Sequence, residues 1–314
     1  RLQFSMAAIA MQRRQWRRAY LLLNPLRKKW KSSKQYPEVL WKLMKVDIKR
    51  RKRWRACRWA RSLYRRYPQH ALVYSWNIDL QNAEVNGEKL GCMASPSDQK
   101  SRIRRLQWAG ESARARGELE TLLERSNKKT RFHVDFMLAR FLVNEGFVDE
   151  ALTTLLKYYE EKQNDVEYLM LFAKAAARAG RYQTAVGTYY KAHVLKRPHR
   201  EGKRALFKAA FLSYQFQDYD GASRKFKEFL RKYPRSGLTR DSKWHLSWIR
   251  YLKGDYEGAV TKFKALLRQK RRNRWRWRKY PTEKIKYWLA MSHYRRGQVA
   301  AARETFRDVI KEAG

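Results

Sequence analysis

Trp244 to Leu267 reads WHLSWIRYLKGDYEGAVTKFKALL. Gly254 divides it, with Tyr256, Ala259 and Phe263 following at two, five and nine residues. A glycine, or another residue that tolerates positive φ, ends a first helix, and the three positions after it fall on one face of a second. The small Ala259 marks the closest approach of the two helices. The aromatic rings fill the volume on either side, and each large side chain so buried contributes about 2 to 3 kcal/mol.

The same frame recurs along the chain. It appears as Gly180, Tyr182, Ala185, Tyr189, as Gln217, Tyr219, Ala222, Phe226, and as Gly297, Val299, Ala302, Phe306. Weaker copies are Gly146, Val148, Ala151, Leu155, then Gly110, Ser112, Ala115, Leu119, and, with arginine in the glycine slot, Arg14, Trp16, Ala19, Leu23. A degenerate copy reads Lys52, Trp54, Cys57, Arg61. Seven residues before the slot a small residue repeats as Ala139, Ala173, Ala210, Ser247 and Ala290. From Gly110 to Gly254 the slots are spaced 36, 34, 37 and 37 residues apart, and the last interval lengthens to 43. Such periods belong to helical-hairpin solenoids, and these hairpins are tetratricopeptide-like. The expected fold is therefore all-α, a right-handed α-α superhelix of eight stacked hairpins. Pro68 and Pro234 stand where second helices should stop.

Three segments are expected: basic helical hairpins over 1–81, a loop or hinge over 82–100, and the main superhelical domain over 101–314. The middle segment, NAEVNGEKLGCMASPSDQK, is the stretch rich in Gly, Ser and Pro. The main domain carries an insertion at 268–281, RQKRRNRWRWRKYP.

Charge is uneven. Residues 1–70 hold 22 Lys and Arg against 2 Asp and Glu, residues 71–164 hold 14 against 14, and residues 165–314 hold 37 against 13. A net charge of +44 points to a polyanionic partner. No apolar run reaches the roughly 18 residues a membrane-spanning helix needs. Cys57 and Cys92 are too few for a disulfide framework or metal cluster, and read as structural or incidental.

No P-loop, dinucleotide-binding fingerprint, HExxH, GxSxG or paired CxxC is present, so no catalytic residue, cofactor or metal is expected in this segment. His70, His133, His193, His199, His245 and His293 lack ligand spacing and suit surface or packing roles. Glu118, Glu120 and Glu124, with Glu160 and Glu161, read as solvated helix faces. The sharper candidate is Arg274, Trp275, Arg276, Trp277 and Arg278, where guanidinium forks alternate with flat rings suited to sugars or bases. The blander reading has both tryptophans anchoring a longer loop. The basic stretch Lys49–Arg66, KRRKRWRACRWARSLYRR, carries the same two readings.

The order of the last hairpins resembles a known family. Asp241 to Tyr256, the run Tyr287, Trp288, Ala290, and the helix Ala301–Ile310 resemble the superhelical segment of soluble lytic murein transglycosylases, and Arg102–Leu122 is similar to an upstream hairpin there. The resemblance implies a non-catalytic scaffold that positions peptidoglycan for a lysozyme-like domain beyond Gly314, in the periplasm or cell envelope of a bacterium. Glu111-Ser112 does not serve as that family's catalytic pair, since it lies inside a hairpin frame. Two other functions fit the same residues: an adaptor gripping an acidic protein or peptide through the repeat groove, and a helical-repeat binder of nucleic acid. On every reading the packing positions are Gly180, Tyr182, Ala185, Tyr219, Ala222, Gly254, Tyr256, Ala259, Phe263, Trp288, Ala290, Gly297, Ala302 and Phe306.

Overall fold

The computed structural model describes residues 2–76, 80–85, 87–195, 200–272 and 282–313. Two compact units divide the chain, Arg1–Leu155 and Leu156–Gly314. The first contains α1 (Leu2–Gln12), α2 (Trp16–Lys29), α3 (Tyr36–Lys49), α4 (Arg53–Arg66), α5 (Pro96–Trp108), α6 (Ser112–Glu124), α7 (Lys128–Glu145) and α8 (Val148–Leu156). The second opens with the single turn α9 (Tyr159–Lys162). Four hairpins follow it: α10 (Val166–Arg178) with α11 (Tyr182–Leu195), α12 (Arg200–Gln215) with α13 (Tyr219–Lys232), α14 (Thr239–Leu252) with α15 (Tyr256–Arg272), and α16 (Glu283–Arg295) with α17 (Val299–Ala313). From α1 to α7, and again from α10 to α17, each helix packs on its successor. The fold is all-α; the described residues add one short ribbon, β1 (Glu84–Val85) antiparallel to β2 (Glu88–Lys89).

Every hairpin turns on one left-handed residue. Gly110, Gly146, Gly180, Gly254 and Gly297 have φ between 75° and 98°, and Arg14, Arg51 and Gln217 sit at 57°, 57° and 59°. At seven of these eight positions the next residue's N–H donates to the carbonyl four residues before the slot: Asp255 to Arg250 at 2.9 Å, Arg181 to Ala176 at 2.8 Å, Gln298 to His293 at 3.0 Å. This closure satisfies carbonyls that the helix end would otherwise leave open. It also corrects the degenerate frame: Lys52 donates to Asp47, so the slot is Arg51, one residue earlier than the spacing suggested. The buried face of α4 then carries Ala56 and Ala60, while Trp54 is exposed. An arginine in the slot carries no glycine to mark it, which is why the sequence misplaced the register.

Around the slots, Ala185, Ala222, Ala259 and Ala302 are buried on the second helices. Ala139, Ala173, Ala210, Ser247 and Ala290 are buried on the first. Phe226 and Phe263 are fully enclosed, whereas Phe306, Tyr219 and Tyr256 are half-buried and Tyr182, stacked on Phe216, is 36% exposed. Small residues on both partners let the helix axes approach, and the rings close the layer between hairpins.

In the first unit, Cys57 on α4 and Cys92 are joined by a disulfide spanning 35 residues. The segment 82–100 holds the β1–β2 ribbon, with Leu90 N–H donating to the Ala83 carbonyl, and then the start of α5. Ser95 caps that helix reciprocally with Asp98, and Pro96 occupies the first position. Glu118 departs from the expected solvated face: it is buried, and Arg102, itself fully buried on α5, grips it through two hydrogen bonds of 2.7 and 2.8 Å. The same guanidinium donates to the carbonyls of Tyr64 and Trp76 and lies over the Tyr64 ring. A carboxylate enclosed this way is tolerated because the fork compensates its lost hydration. Glu120, Glu124, Glu160 and Glu161 are exposed.

Gly254→Ala places no new atom within 4 Å of a neighbour, so its cost is backbone strain alone. It should lower the unfolding free energy by about 1 kcal/mol, and Gln217→Gly should raise it by a similar amount, both measured by urea denaturation. Replacing Cys57 and Cys92 with serine should destabilise the first unit by about 3 to 4 kcal/mol in the chain-entropy picture, and reduction of the native protein should match it.

Candidate functional site

The glycine slot also organises a second stripe, on the first helices. Counting back ten, six and three residues from the slot gives Phe207, Phe211 and Tyr214 on α12, Trp244, Trp248 and Tyr251 on α14, and Tyr287, Met291 and Tyr294 on α16. Steps of four and three keep each trio on one helix face. The core positions alone do not reveal this stripe, but its regular offsets from the slot are plain in the sequence.

The rings meet as a ladder across the three helices. Trp248 is the hub: it stacks against Trp244 at 5.9 Å and Tyr251 at 5.2 Å, and its ring centroid lies 4.1 Å from that of Trp288. Its indole N–H donates to the Tyr214 hydroxyl at 2.9 Å, linking α14 to α12. His245 packs against Phe211, Tyr214 and Phe226, stacking on the last at 5.2 Å. At the other end Tyr251 meets Trp288 edge-on at 5.2 Å, and Trp288 meets Tyr287. Phe207, Phe211, Tyr214, Trp248, Tyr251 and Trp288 are half-buried, and Tyr287 and Tyr294 are exposed. Trp244 is buried in the core, and the remaining rings form a partly solvated aromatic surface.

Cations border it. Lys284 sets its ammonium 3.6 Å from the centre of the Trp244 ring. Lys208 sets its ammonium 5.3 Å from the centre of the Tyr189 ring of α11, and its pKa is lowered by burial first and by the charge of Arg204 second. Asp241 occupies on α14 the place that Arg204 and Lys284 hold on α12 and α16. Trp244 Nε1 and His245 Nδ1 are buried without a hydrogen-bond partner among the described residues. Arg274, Trp275, Arg276, Trp277 and Arg278 lie outside the described residues. In the basic stretch Lys49–Arg66, Trp59 is buried with its indole donating to Asp47 at 2.9 Å, and Arg55 lies over the exposed Trp54. Among the described residues no three His, Cys, Asp or Glu side chains gather as a metal site, and no helix is long and apolar enough to cross a membrane.

Burial among rings, with the charge of Lys284 adding to it, pushes the His245 imidazole down to about 4 from its ordinary 6.5. The unfolded chain therefore takes up a proton first as pH falls, so stability of the second unit should be unaffected above about 6.5 and decline from there towards 4. Urea unfolding at pH 7 and pH 5 should show the loss in the native protein. His245→Phe, which keeps the stack on Phe226, should show a smaller one.

Residues 136–201 and 208–274 match one family described as tetratricopeptide repeat, and residues 286–313 match a second family of the same description, together about half of the chain. No curated protein matches the chain in sequence. Among solved structures, a tetratricopeptide repeat protein from Parabacteroides merdae is similar at 16% identity and a TM-score of 0.52, with 69% of this chain and 79% of that one covered. MamA from Desulfovibrio magneticus RS-1 aligns at 18% identity and a TM-score of 0.45, over 57% of this chain and 93% of its own. Nothing in these matches links the chain to lytic transglycosylases, so what holds of that resemblance is its coarser content: this chain contains a tetratricopeptide repeat region.

Proposed function

We propose that this chain is an adaptor that grips an acidic protein or peptide segment along the aromatic face of α12, α14 and α16. The observation that carries this reading is the ladder itself: partly solvated rings on the first helices, with Arg204 and Lys284 at one shared offset of the repeat beside them. Repeat stacks present such extended faces for binding, and rings bordered by cations suit a chain of mixed apolar and acidic side chains.

The arrangement of the rings supports a peptide over a glycan or a nucleic acid. Sugars and bases need open, flat ring faces. Trp248 has its faces occupied by Trp244, Tyr251 and Trp288, so the ladder offers edges and shallow apolar steps. Positioning of peptidoglycan, which the transglycosylase resemblance implies, has no support beyond the repeat. Placement in the periplasm or another oxidising compartment belongs to the same proposal, supported by the Cys57–Cys92 disulfide.

Twelve-residue fluorescent peptides, acidic, neutral and basic, separate the readings. The acidic set should bind with micromolar affinity that weakens with salt. The double variant Arg204→Glu, Lys284→Glu should lose about tenfold, equivalent to about 1.4 kcal/mol. Purified murein sacculi should not retain the protein. Retention on sacculi without preference for acidic peptides would overturn the adaptor reading.

A further inference from the structure

A second site lies on a different face of α14 from the ladder. Counting back eleven, eight and four residues from the slot gives Leu169, Phe172 and Ala176 on α10 and Leu206, Ala209 and Ser213 on α12, all buried. On α14 the same three positions are Lys243, Leu246 and Arg250, each only half-buried. Two long cations thus stand where the two preceding repeats place core side chains, and α16 repeats the first of them with Lys286. They leave a cavity of about 280 Å³ between α13, α14 and α15.

Its floor is apolar, made by Leu230, Leu246 and Leu266, and its rim carries Lys227, Lys243 and Lys262. Among the described residues that line it there is no carboxylate. Arg250, also at the rim, is paired with Asp255. Glu228, next in sequence to Lys227, is engaged elsewhere, bonded by Tyr190 and Lys232. Burial, and then the like charge of Lys262, lowers the pKa of Lys243. Cations held close together over an apolar floor are relieved by a ligand that brings negative charge and an apolar group together.

We propose that this cavity is an anchor site for an acidic peptide, with one apolar side chain seated on Leu230, Leu246 and Leu266 and flanking carboxylates paired with Lys227, Lys243 and Lys262. The occupant is small because the volume is at the lower end for ligand pockets, below about 300 Å³, the scale of one anchor side chain. Inorganic phosphate would leave the leucines uncovered, and a long acyl chain would not fit. The site is independent of the ladder, and stands whether or not the ladder binds a partner.

Fluorescence anisotropy tests it with a labelled peptide holding one phenylalanine between two pairs of aspartates. A peptide with serine for phenylalanine and one with lysines for aspartates serve as controls. The parent peptide should bind at least tenfold more tightly than either control. Lys262→Glu, at an exposed position, should weaken it at least tenfold. Lys243→Leu, which restores the leucine found at the same place in α10 and α12, should raise the melting temperature and also abolish binding. In the Arg204→Glu, Lys284→Glu background, which weakens the ladder, the parent peptide should still bind and Lys262→Glu should still weaken it at least tenfold, so a failed ladder and a failed cavity give different results. Equal binding of the serine control, binding unaffected by Lys262→Glu, or preference for anionic phospholipid vesicles over the peptide would each overturn the proposal.

Discussion

A single backbone constraint sets the register of this protein: one residue at positive φ between the two helices of each hairpin. The closing hydrogen bond from the following N–H back across the slot determines where the second helix starts, and hence which of its side chains face inward. Three stripes are then counted from the same origin. Positions after the slot build the inter-helix core, one set of positions before it builds the stack's interior, and another builds the aromatic face. A shift of one residue at any slot would rotate the whole second helix by about 100° and expose its core alanines. That is the reason the stack tolerates Arg14, Arg51 and Gln217 there in spite of their strain.

The second constraint is charge. A chain with 73 Lys and Arg against 29 Asp and Glu cannot neutralise itself by ion pairs. In the first unit several guanidinium groups also lie on rings, Arg50 over Tyr20 at 4.3 Å and Arg114 over Tyr74 at 4.2 Å while paired with Asp47 and with Glu111 and Glu118, and Arg27 over Trp59 at 5.3 Å. Planar, weakly hydrated guanidinium suits this use, and the contacts keep positive charge close to the core. In the second unit lysines predominate around the cavity and beside the ladder, and the lowered pKa values of Lys208, Lys225 and Lys243 all have burial as their first cause. Ammonium groups held partly out of water favour an anionic partner, which links the packing of the repeats to the function proposed for them.

Specificity, on this view, resides where repeats depart from one another. The alanines and phenylalanines that make each hairpin are nearly interchangeable between copies. The differences that matter are Trp248, which ties three helices together where α10 has Lys174, and Lys243 and Arg250, which open a cavity where α10 and α12 fill it. A repeat protein gains distinct surfaces this way without disturbing the stack, since each hairpin contacts only its neighbours.

The sequence by itself determined the all-α class, the eight hairpins and most of their register, because glycine and alanine at fixed offsets report backbone conformation and helix approach directly. It also held the ladder, in offsets that could have been read. Only the tertiary structure decided the rest. It moved the slot from Lys52 to Arg51, where no glycine marks the turn, and it enclosed Glu118, whose burial depends on Arg102 sixteen residues away. It joined Cys57 to Cys92, and it opened the cavity beside Lys243. These features share a physical cause: each depends on side chains that different helices bring together, and no periodicity within one helix encodes what its neighbour presents.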